Sequence, residues 1–592
     1  MGANQTTGMV ITVNRNPKKN KLNDDENYLR TSNSTIQINN LSLGINIGGA
    51  KTVYSSFTIE NGKLTTKVLL MNRASRIIPS IICYSNTHRL FGENSKSSLK
   101  QNLDSSYNNL SRLIGFDKNE PIFQDELKYM YINENKNIKN IKFYCKSNNN
   151  KEEIESECII ADFIHLINQY YYKEEKKDNV NISISFSVPD FFTETQKKKL
   201  NIICESIGMK NIKVYNESSA ITMYYGYTKY RDLFVREKKI DPTIEKYILF
   251  IDIGHSKTSF ILSYFKYNIF EVKYVECIPN IGGRNFDELI YNYCINEFKK
   301  KKKLNDIKIS PKMRYRLLEQ ITKKRNQLTV NNEILITVES FYVGNNIEED
   351  LEIIISRETF EKLIGNLVKE IIKILDNLIK KNDDIKIDYV EIAGELMRTP
   401  ILQNLIKKQY NLAISKTILI DECTSVGSSL LDYFFRNKEN FPIVKLNRFI
   451  EFTNDKKDKS QKINFNSLSN KIMEHISKFN ELDDTYYKFI NFKNDNLKIL
   501  YFLKDYFRNN DDIKKQINEI EKNIKGNNGN LNSLENDEKN IKKIAFFLID
   551  ELVRNSEIKE KTKSILQNMK NEKKFNFKEF KKIYEQLNLK SF

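Results

Sequence analysis

Two glycine-bearing turns carry the first chemistry that can be read in this chain. Leu43-Gly44-Ile45-Asn46-Ile47-Gly48-Gly49 runs on into Val53 to Ile59, and Ile248-Leu249-Phe250-Ile251-Asp252-Ile253-Gly254 runs on into Thr258 to Phe265. Each reads as strand, tight turn, strand. Glycine lets backbone N–H groups approach an anion closely, so such turns cradle phosphate, although glycine at a hairpin equally serves turn geometry alone. The repetition separates the two readings: similar segments far apart in the chain predict two similar lobes, each aiming a hairpin at a shared cleft. A third cluster, Asn216-Glu217-Ser218-Ser219-Ala220, follows the short strand of Ile212 and Val214 at the mouth of a helix. Strands that end in polar clusters are where α/β sheets place ligands.

The elements that must position these residues are legible in the periodicity. From Leu41 to about Tyr433 short apolar runs alternate with helical patterns, which predicts an α/β architecture. Ile182, Ile184, Phe186 and Val188 alternate with three serines until Pro189 ends the strand. Thr193 with Gln196 forms a capping-box start, Leu200, Ile203, Cys204 and Ile207 line one helical face, and Gly208 stops the helix. Met1 to about Asn40 reads as a flexible polar tail, and Asn437 to Phe465 as a lysine-rich connector with one strand at Ile443 to Phe452. Beyond it Ile513, Ile517, Ile520 and Ile524 form a stripe ended by Gly526. Ile541, Ile544, Ala545, Leu548 and Leu552 form a second, and Phe580, Ile583, Tyr584 and Leu587 a third. These stripes predict the core of a helical bundle of three or more helices.

Composition excludes several classes. At 592 residues, with 40% hydrophobic and 29% charged, the chain is long enough for several domains and too apolar in its periodic stretches to be wholly disordered. Lys and Arg number 95 against 77 Asp and Glu, a net +18 that favours acidic partners in principle but fits a compositional bias toward Lys and Asn better. No run reaches the ~20 apolar residues of a membrane span, and no secretory signal is present, so a cytoplasmic protein, with the nucleus as the second compartment, is expected. Seven cysteines without a C-x-x-C pair and four scattered histidines argue against zinc, redox and disulfide frameworks. Met1-Gly2 with Thr6 satisfies a myristoylation pattern of little specificity.

Across Leu41 to Leu431 the chain resembles the actin-like ATPase superfamily, and within it the seventy-kilodalton heat-shock chaperones and their hundred-and-ten-kilodalton relatives. The motifs stand in order: Arg112-Leu113-Ile114-Gly115, Val188-Pro189 before Phe191-Phe192-Thr193, Asn216-Glu217, Gly282-Gly283-Arg284-Asn285-Phe286-Asp287, Arg398 with Pro400, and Asp421-Glu422. Gly254-His255-Ser256 resembles the larger, exchange-factor branch, which makes His255 a branch marker and not a base. The resemblance implies an actin-like two-lobed nucleotide-binding domain over 41–433, a linker over 434–465 and a helical bundle over 466–592, with ATP or ADP and Mg²⁺ in the cleft. By the same resemblance Gly48, Gly49 and Ala50 belong to the first phosphate loop, and Gly254, His255 and Ser256 to the second lobe's turn. Lys96 faces the γ-phosphate, and Glu217 and Asp252 act through metal-bound water. Gly282 and Gly283 bind the nucleotide, Arg325 and Thr329 sit near the adenosine, Gly394 and Arg398 belong to a second nucleotide loop, and Asp421 closes the site.

Departures from the family pattern predict a quiet ATPase at most. Asn46 replaces an acidic residue of the first loop, Thr322 a glutamate at the ribose, and Glu395 a glycine of the nucleotide loop. A carboxylate held ~5 Å from a phosphate at an effective dielectric of ~20 costs about 3 kcal/mol per unit charge pair, roughly two decades of affinity. Lys51 and Lys257 are placed to offset part of it. Between Tyr433 and the helical region there are only a few tens of residues, too few for the family's β-sandwich peptide clamp. The resemblance therefore implies a nucleotide exchange factor for a seventy-kilodalton chaperone in protein folding and the stress response. A pseudo-chaperone scaffold with a structural or nucleic-acid role is the alternative. Lys299 to Lys303 and Lys323-Lys324-Arg325 support it weakly, because a lysine run at a helix end is usually a solvated face, and nucleic acid is not the expected partner. A sugar-kinase reading lacks its catalytic aspartate.

Overall fold

The computed structural model describes residues 40–587, apart from longer breaks at 131–141, 175–180, 231–242 and 446–464 and some shorter ones, so the expected tail and most of the connector lie outside the described residues. The chain divides into two compact units, one formed by 1–85, 90–146 and 151–476, the other by 86–89, 147–150 and 477–592.

The first unit holds two six-stranded sheets built on one plan. In the first lobe Asn40–Ile47 pairs in parallel with Asn181–Val188, which pairs in parallel with Ile212–Asn216; on its other edge Asn40–Ile47 pairs antiparallel with Lys51–Glu60, and that with Lys63–Val68. In the second lobe Glu245–Ile253 takes the central place, parallel to Tyr389–Ile392 and through it to Ile414–Ser415, and antiparallel to Thr258–Lys266, itself antiparallel to Ile269–Ile278. The weak sequence repeat is thus a repeat of topology. The strand expected at Ile443 to Phe452 is described over Ile443–Lys445, where it extends the second sheet in parallel beside Ile269–Ile278; 446–452 lie outside the described residues.

Sequence logic accounts for the local stops. Thr193 caps the helix Glu194–Ser206 with both arms of the capping box made, Gln196 N–H to Thr193 Oγ1 at 3.2 Å and Thr193 N–H to Gln196 Oε1 at 2.9 Å. Gly208 ends it at φ +83°, a left-handed conformation that glycine adopts without strain.

Helices Glu217–Lys229 and Cys423–Arg436 lie between the sheets and against each other. Their crossing is backbone on backbone, since a Cβ added at Gly427 would collide with the Ala220 carbonyl; strand Asn40–Ile47 approaches the second helix as closely, where a Cβ added at Gly44 would collide with the Ser425 carbonyl. Phe57 from the first sheet, Ala220, Ile248 and Phe250 from the second sheet, and Val426 and Leu430 share one buried core, so both lobes drain their apolar surface into a common interior. A larger core in the second lobe packs Leu249, Ile251, Phe286, Ile290, Ile336 and Val368. The helix Gly283–Lys302 ends in the lysine run, where Lys300 pairs with Glu297 at 2.8 Å, Lys302 pairs with Glu349 and Lys301 donates to the Glu352 carbonyl, a paired helix end.

In the second unit every described element after 476 is helical. Asp511–Gly526 buries Ile517, Ile520 and Ile524, Leu531–Arg554 buries Ile541, Ala545, Leu548 and Leu552, and Phe577–Leu587 buries Phe580; Glu560–Asn571 adds Leu566 to the same core. The expected stripes are these faces. The 42-residue helix Phe465–Tyr506, which no single stripe announced, continues from one unit's sequence into the other's. None of the described helices is long and apolar enough to cross a membrane.

Candidate functional site

Each lobe's turn is closed by the same bond. Gly48 N–H donates to the Lys51 carbonyl at 2.8 Å, and Gly254 N–H to the Lys257 carbonyl at 3.0 Å. Between glycine and lysine in each turn, the N–H groups of Gly49, Ala50, His255 and Ser256 have no acceptor among the described residues. The two tips face one another, since a Cβ added at Gly49 would lie 3.1 Å from both His255 Cδ2 and Ser256 Oγ. Orphan backbone donors converging from two sides form an anion-binding concavity. Around them opens a cavity of about 750 Å³, within the range that holds a nucleotide-sized ligand.

The structure gathers most of the sequence candidates on this wall. Gly48, Gly49, Ala50, Lys96, Glu217, Asp252, Gly254, His255, Ser256, Gly283, Arg325, Gly394 and Asp421 line the cavity. Gly282, Thr329 and Arg398 do not. Gly282 sits beneath the second turn, where a Cβ would meet the His255 carbonyl and the Lys257 nitrogen at 2.7 Å. Thr329 turns its hydroxyl onto the Asn326 carbonyl at 2.8 Å, and Arg398, exposed, ends the short turn Glu395–Arg398. Lys96 reaches the cavity, with Glu93 at 2.9 Å as its ion-pair partner. Arg325 is held by Asp287, which accepts from its Nε at 2.6 Å, while Thr322 donates to the same carboxylate at 2.8 Å.

Charge in the cleft is arranged by the two lysines that close the turns. Lys51 Nζ lies 2.6 Å from Glu395 Oε2 and 2.9 Å from Asp421 Oδ1, and Asn326 Nδ2 donates to Glu395 Oε1 at 2.8 Å. Burial opposes ionisation of both partners, yet each is held charged: the Glu395 and Asp421 carboxylates raise the Lys51 pKa, and Lys51, followed by Arg325 and Arg398, lowers that of Glu395. Lys51, shared with Asp421, therefore offsets part of the repulsion expected from Glu395. Lys257 lies 2.7 Å from Asp252 Oδ2 and 2.7 Å from Glu217 Oε2, the latter an ion pair without an aligned hydrogen bond. Burial disfavours its charge, but the two carboxylates outweigh that and raise its pKa. Asn46, neutral, donates to Glu217 Oε1 at 3.0 Å and to Ser187 Oγ at 3.1 Å, bonds that an aspartate there could not make. Burial, with the cations Arg284, Arg325, Arg112 and Lys51 around it, lowers the His255 pKa to about 3, so its imidazole is neutral at physiological pH.

Three supports escaped the sequence reading in these roles. Glu126, fully buried, takes Arg284 in a bidentate pair at 2.6 and 2.7 Å and Arg112 Nε at 3.4 Å. Arg112 in turn donates to the Ser256 carbonyl at 2.9 Å and to the Pro279 carbonyl, fixing the second turn from below. Asp190 accepts from Ser218 N–H at 3.1 Å and from its hydroxyl, anchoring the start of the helix that carries Glu217. Arg112 and Arg284 stand in recognisable motifs; Glu126 and Asp190 carry no local signal, because their partners are remote or lie in another element.

The family model described as Hsp70 protein matches residues 42–441, well over half the chain. The chain belongs to the Hsp70 family. Among its relatives, a heat shock protein homolog of Lachancea kluyveri is 27% identical over 371 residues, 61% of this chain and 51% of that protein. A heat shock protein homolog of Saccharomyces cerevisiae is 28% identical over 371 residues, with the same coverage of 61% and 51%. The chaperone protein dnaK of Guillardia theta is 26% identical over 394 residues, 66% of this chain and 59% of that protein. The chain spans about half the length of the two heat shock protein homologs it matches.

Members of the Hsp70 family bind adenine nucleotide with a magnesium ion, and the residues of this chain fit the two differently. The opposed turn tips with unsatisfied donors, and the cavity they line, fit a polyphosphate tail, which Gly49, Ala50, His255 and Ser256 would hold through their backbone. The divalent ion does not fit as the family likeness places it. Its carboxylates, Glu217 and Asp252, are already joined by an ammonium.

Proposed function

We propose that this Hsp70-family chain is a co-chaperone of the hundred-and-ten-kilodalton kind, which holds adenine nucleotide between its lobes, hydrolyses it slowly or not at all, and promotes release of ADP from a seventy-kilodalton chaperone. The observation that carries this reading is the pairing of an intact phosphate cradle with occupied carboxylates. Four turn-tip N–H groups await an anion, while Glu217 and Asp252, the groups that would orient an attacking water, are bound to Lys257. A site that keeps binding and gives up water activation suits a protein whose nucleotide sets its shape. Exchange then follows by linkage: a partner that favours the open form of the chaperone's own cleft lowers ADP affinity there. The likeness to the Lachancea and Saccharomyces heat shock protein homologs and the Gly254-His255-Ser256 turn support this branch over a peptide-clamping chaperone, as does the all-helical make-up of the described residues after 476.

The decisive experiment follows fluorescent ADP leaving a purified seventy-kilodalton chaperone in stopped flow. Addition of the full chain is expected to accelerate release at least about tenfold. Unchanged release, together with sustained phosphate production by the chain alone, would overturn the reading.

A further inference from the structure

We propose that Lys257 is a built-in cation that takes the place of a divalent metal, so that this chain binds adenine nucleotide without Mg²⁺. The proposal rests on the nucleotide-binding reading above and goes beyond it by specifying the form of the ligand: the free nucleotide, not its metal complex.

Three observations converge on it. First, position: Lys257 lines the cleft at the end of the second turn, its side chain 12% exposed, with its ammonium 2.7 Å from a carboxylate oxygen of each lobe, Glu217 in the first and Asp252 in the second. A hydrated divalent ion bound to phosphate would need those same two carboxylates for its water shell. Second, charge: a neutral Asn46 stands where a third carboxylate would complete a strongly anionic pocket, and it spends its amide protons on Glu217 and Ser187. Two carboxylates against one resident ammonium leave a single net negative charge. That is a weak claim on a dication, which binds through one or two free carboxylates plus phosphate and gives up its water reluctantly. Third, the cost of exchange: for the metal to enter, Lys257 must leave two partners in a site shielded from water, where an unpaired ammonium is strongly disfavoured. The nearest neighbours offer it nothing better, since Ser259 Oγ, its remaining contact, is 3.4 Å away and neutral.

The test is a titration of the full chain with N-methylanthraniloyl-ADP, followed by fluorescence, in millimolar Mg²⁺ and in excess EDTA. Affinities in the two buffers are expected to agree within about threefold. A loss of more than about tenfold in EDTA overturns the proposal and leaves the nucleotide reading standing, whereas absence of binding in both buffers overturns both. Mn²⁺ alone, followed by its electron paramagnetic resonance signal, is expected to remain free at micromolar protein; stoichiometric uptake that nucleotide does not require would overturn the proposal. Lys257→Met should convert the site, making binding at least about tenfold tighter in Mg²⁺ than in EDTA, and equal affinity of this variant in both buffers would overturn the role given to the lysine. If that variant fails to fold, the wild-type titration and the Mn²⁺ measurement decide alone.

Discussion

Lys51 Nζ and Glu395 Oε2, 2.6 Å apart, tie the turn of the first lobe to the loop that follows strand Tyr389–Ile392 in the second. Both side chains are more than a third exposed, so the pair adds about 1 kcal/mol or less to stability. Its value lies in cancelling a negative charge at the rim of an anion site.

Replacement of Lys51 by Met exposes that charge again. Nucleotide affinity should fall about tenfold to a hundredfold, the cost of an uncompensated carboxylate near phosphate. Isothermal titration of Lys51→Met with ADP measures it, and unchanged affinity would mean that Glu395 and Asp421 do not feel the ligand.

The reverse change is expected from Glu395→Gly. It removes the acceptor of Asn326 and one partner of Lys51, leaving the ammonium to share between Asp421 and phosphate. Affinity should rise about tenfold in the same titration. A fall would show that Glu395 chiefly supports the loop.

Two buried groups give stability opposite dependences on pH. Burial, aided by the Glu217 carboxylate and opposed by Ser218, raises the Asp190 pKa from 3.8 to about 6. The stabilisation from its protonated form is present below ~4 and lost as pH rises through 6. His255, lowered from 6.5 to about 3, contributes stability that is present above 6.5 and lost as pH falls toward 3. Asp190→Asn should therefore gain on the wild type by up to about 3 kcal/mol between pH 4 and 7. His255→Gln should gain by up to about 2 kcal/mol between pH 6.5 and 5. Urea unfolding at several pH values reads both, and parallel stability curves for either variant would contradict the assigned shift.

Backbone contact at the helix crossing makes Gly427 intolerant. Gly427→Ala, whose Cβ collides with the Ala220 carbonyl, should cost about 2 kcal/mol or more. Gly365 is the control: it lies inside helix Arg357–Lys381 with nothing within 4 Å of an added Cβ, so Gly365→Ala should stabilise by up to about 1 kcal/mol. Thermal unfolding of the two variants should move in opposite directions.

What the sequence made legible and what it hid divide along physical lines. Strand Asn181–Val188, the Thr193 cap and the Ile517–Ile520–Ile524 face were readable because each depends on residues close in the chain. Helix Phe465–Tyr506 falls in the region expected to be helical, but its inner face was not legible as an apolar stripe, because the polar Asp483 and Asn496 take buried places in the run from Ile472, Ile476 and Phe479 to Leu500 and Leu503. In the site, the turns were legible as glycine patterns. That Lys257 would face Glu217 and Asp252 while Lys51 crossed to Glu395 was not, since lysine reach is decided by which lobe lies opposite. Of the two lysines expected to offset Glu395, only Lys51 reaches it, while Lys257 is held by Glu217 and Asp252.

The shared interior of the lobes has a consequence for how the cleft moves. Helix Cys423–Arg436, late in the chain, rests on the first sheet, and helix Glu217–Lys229 meets it where Gly427 abuts Ala220. Part of each sheet's apolar surface is covered by these two helices, so an opening of the cleft that drew Gly427 away from Ala220 would bare apolar surface of both lobes at once.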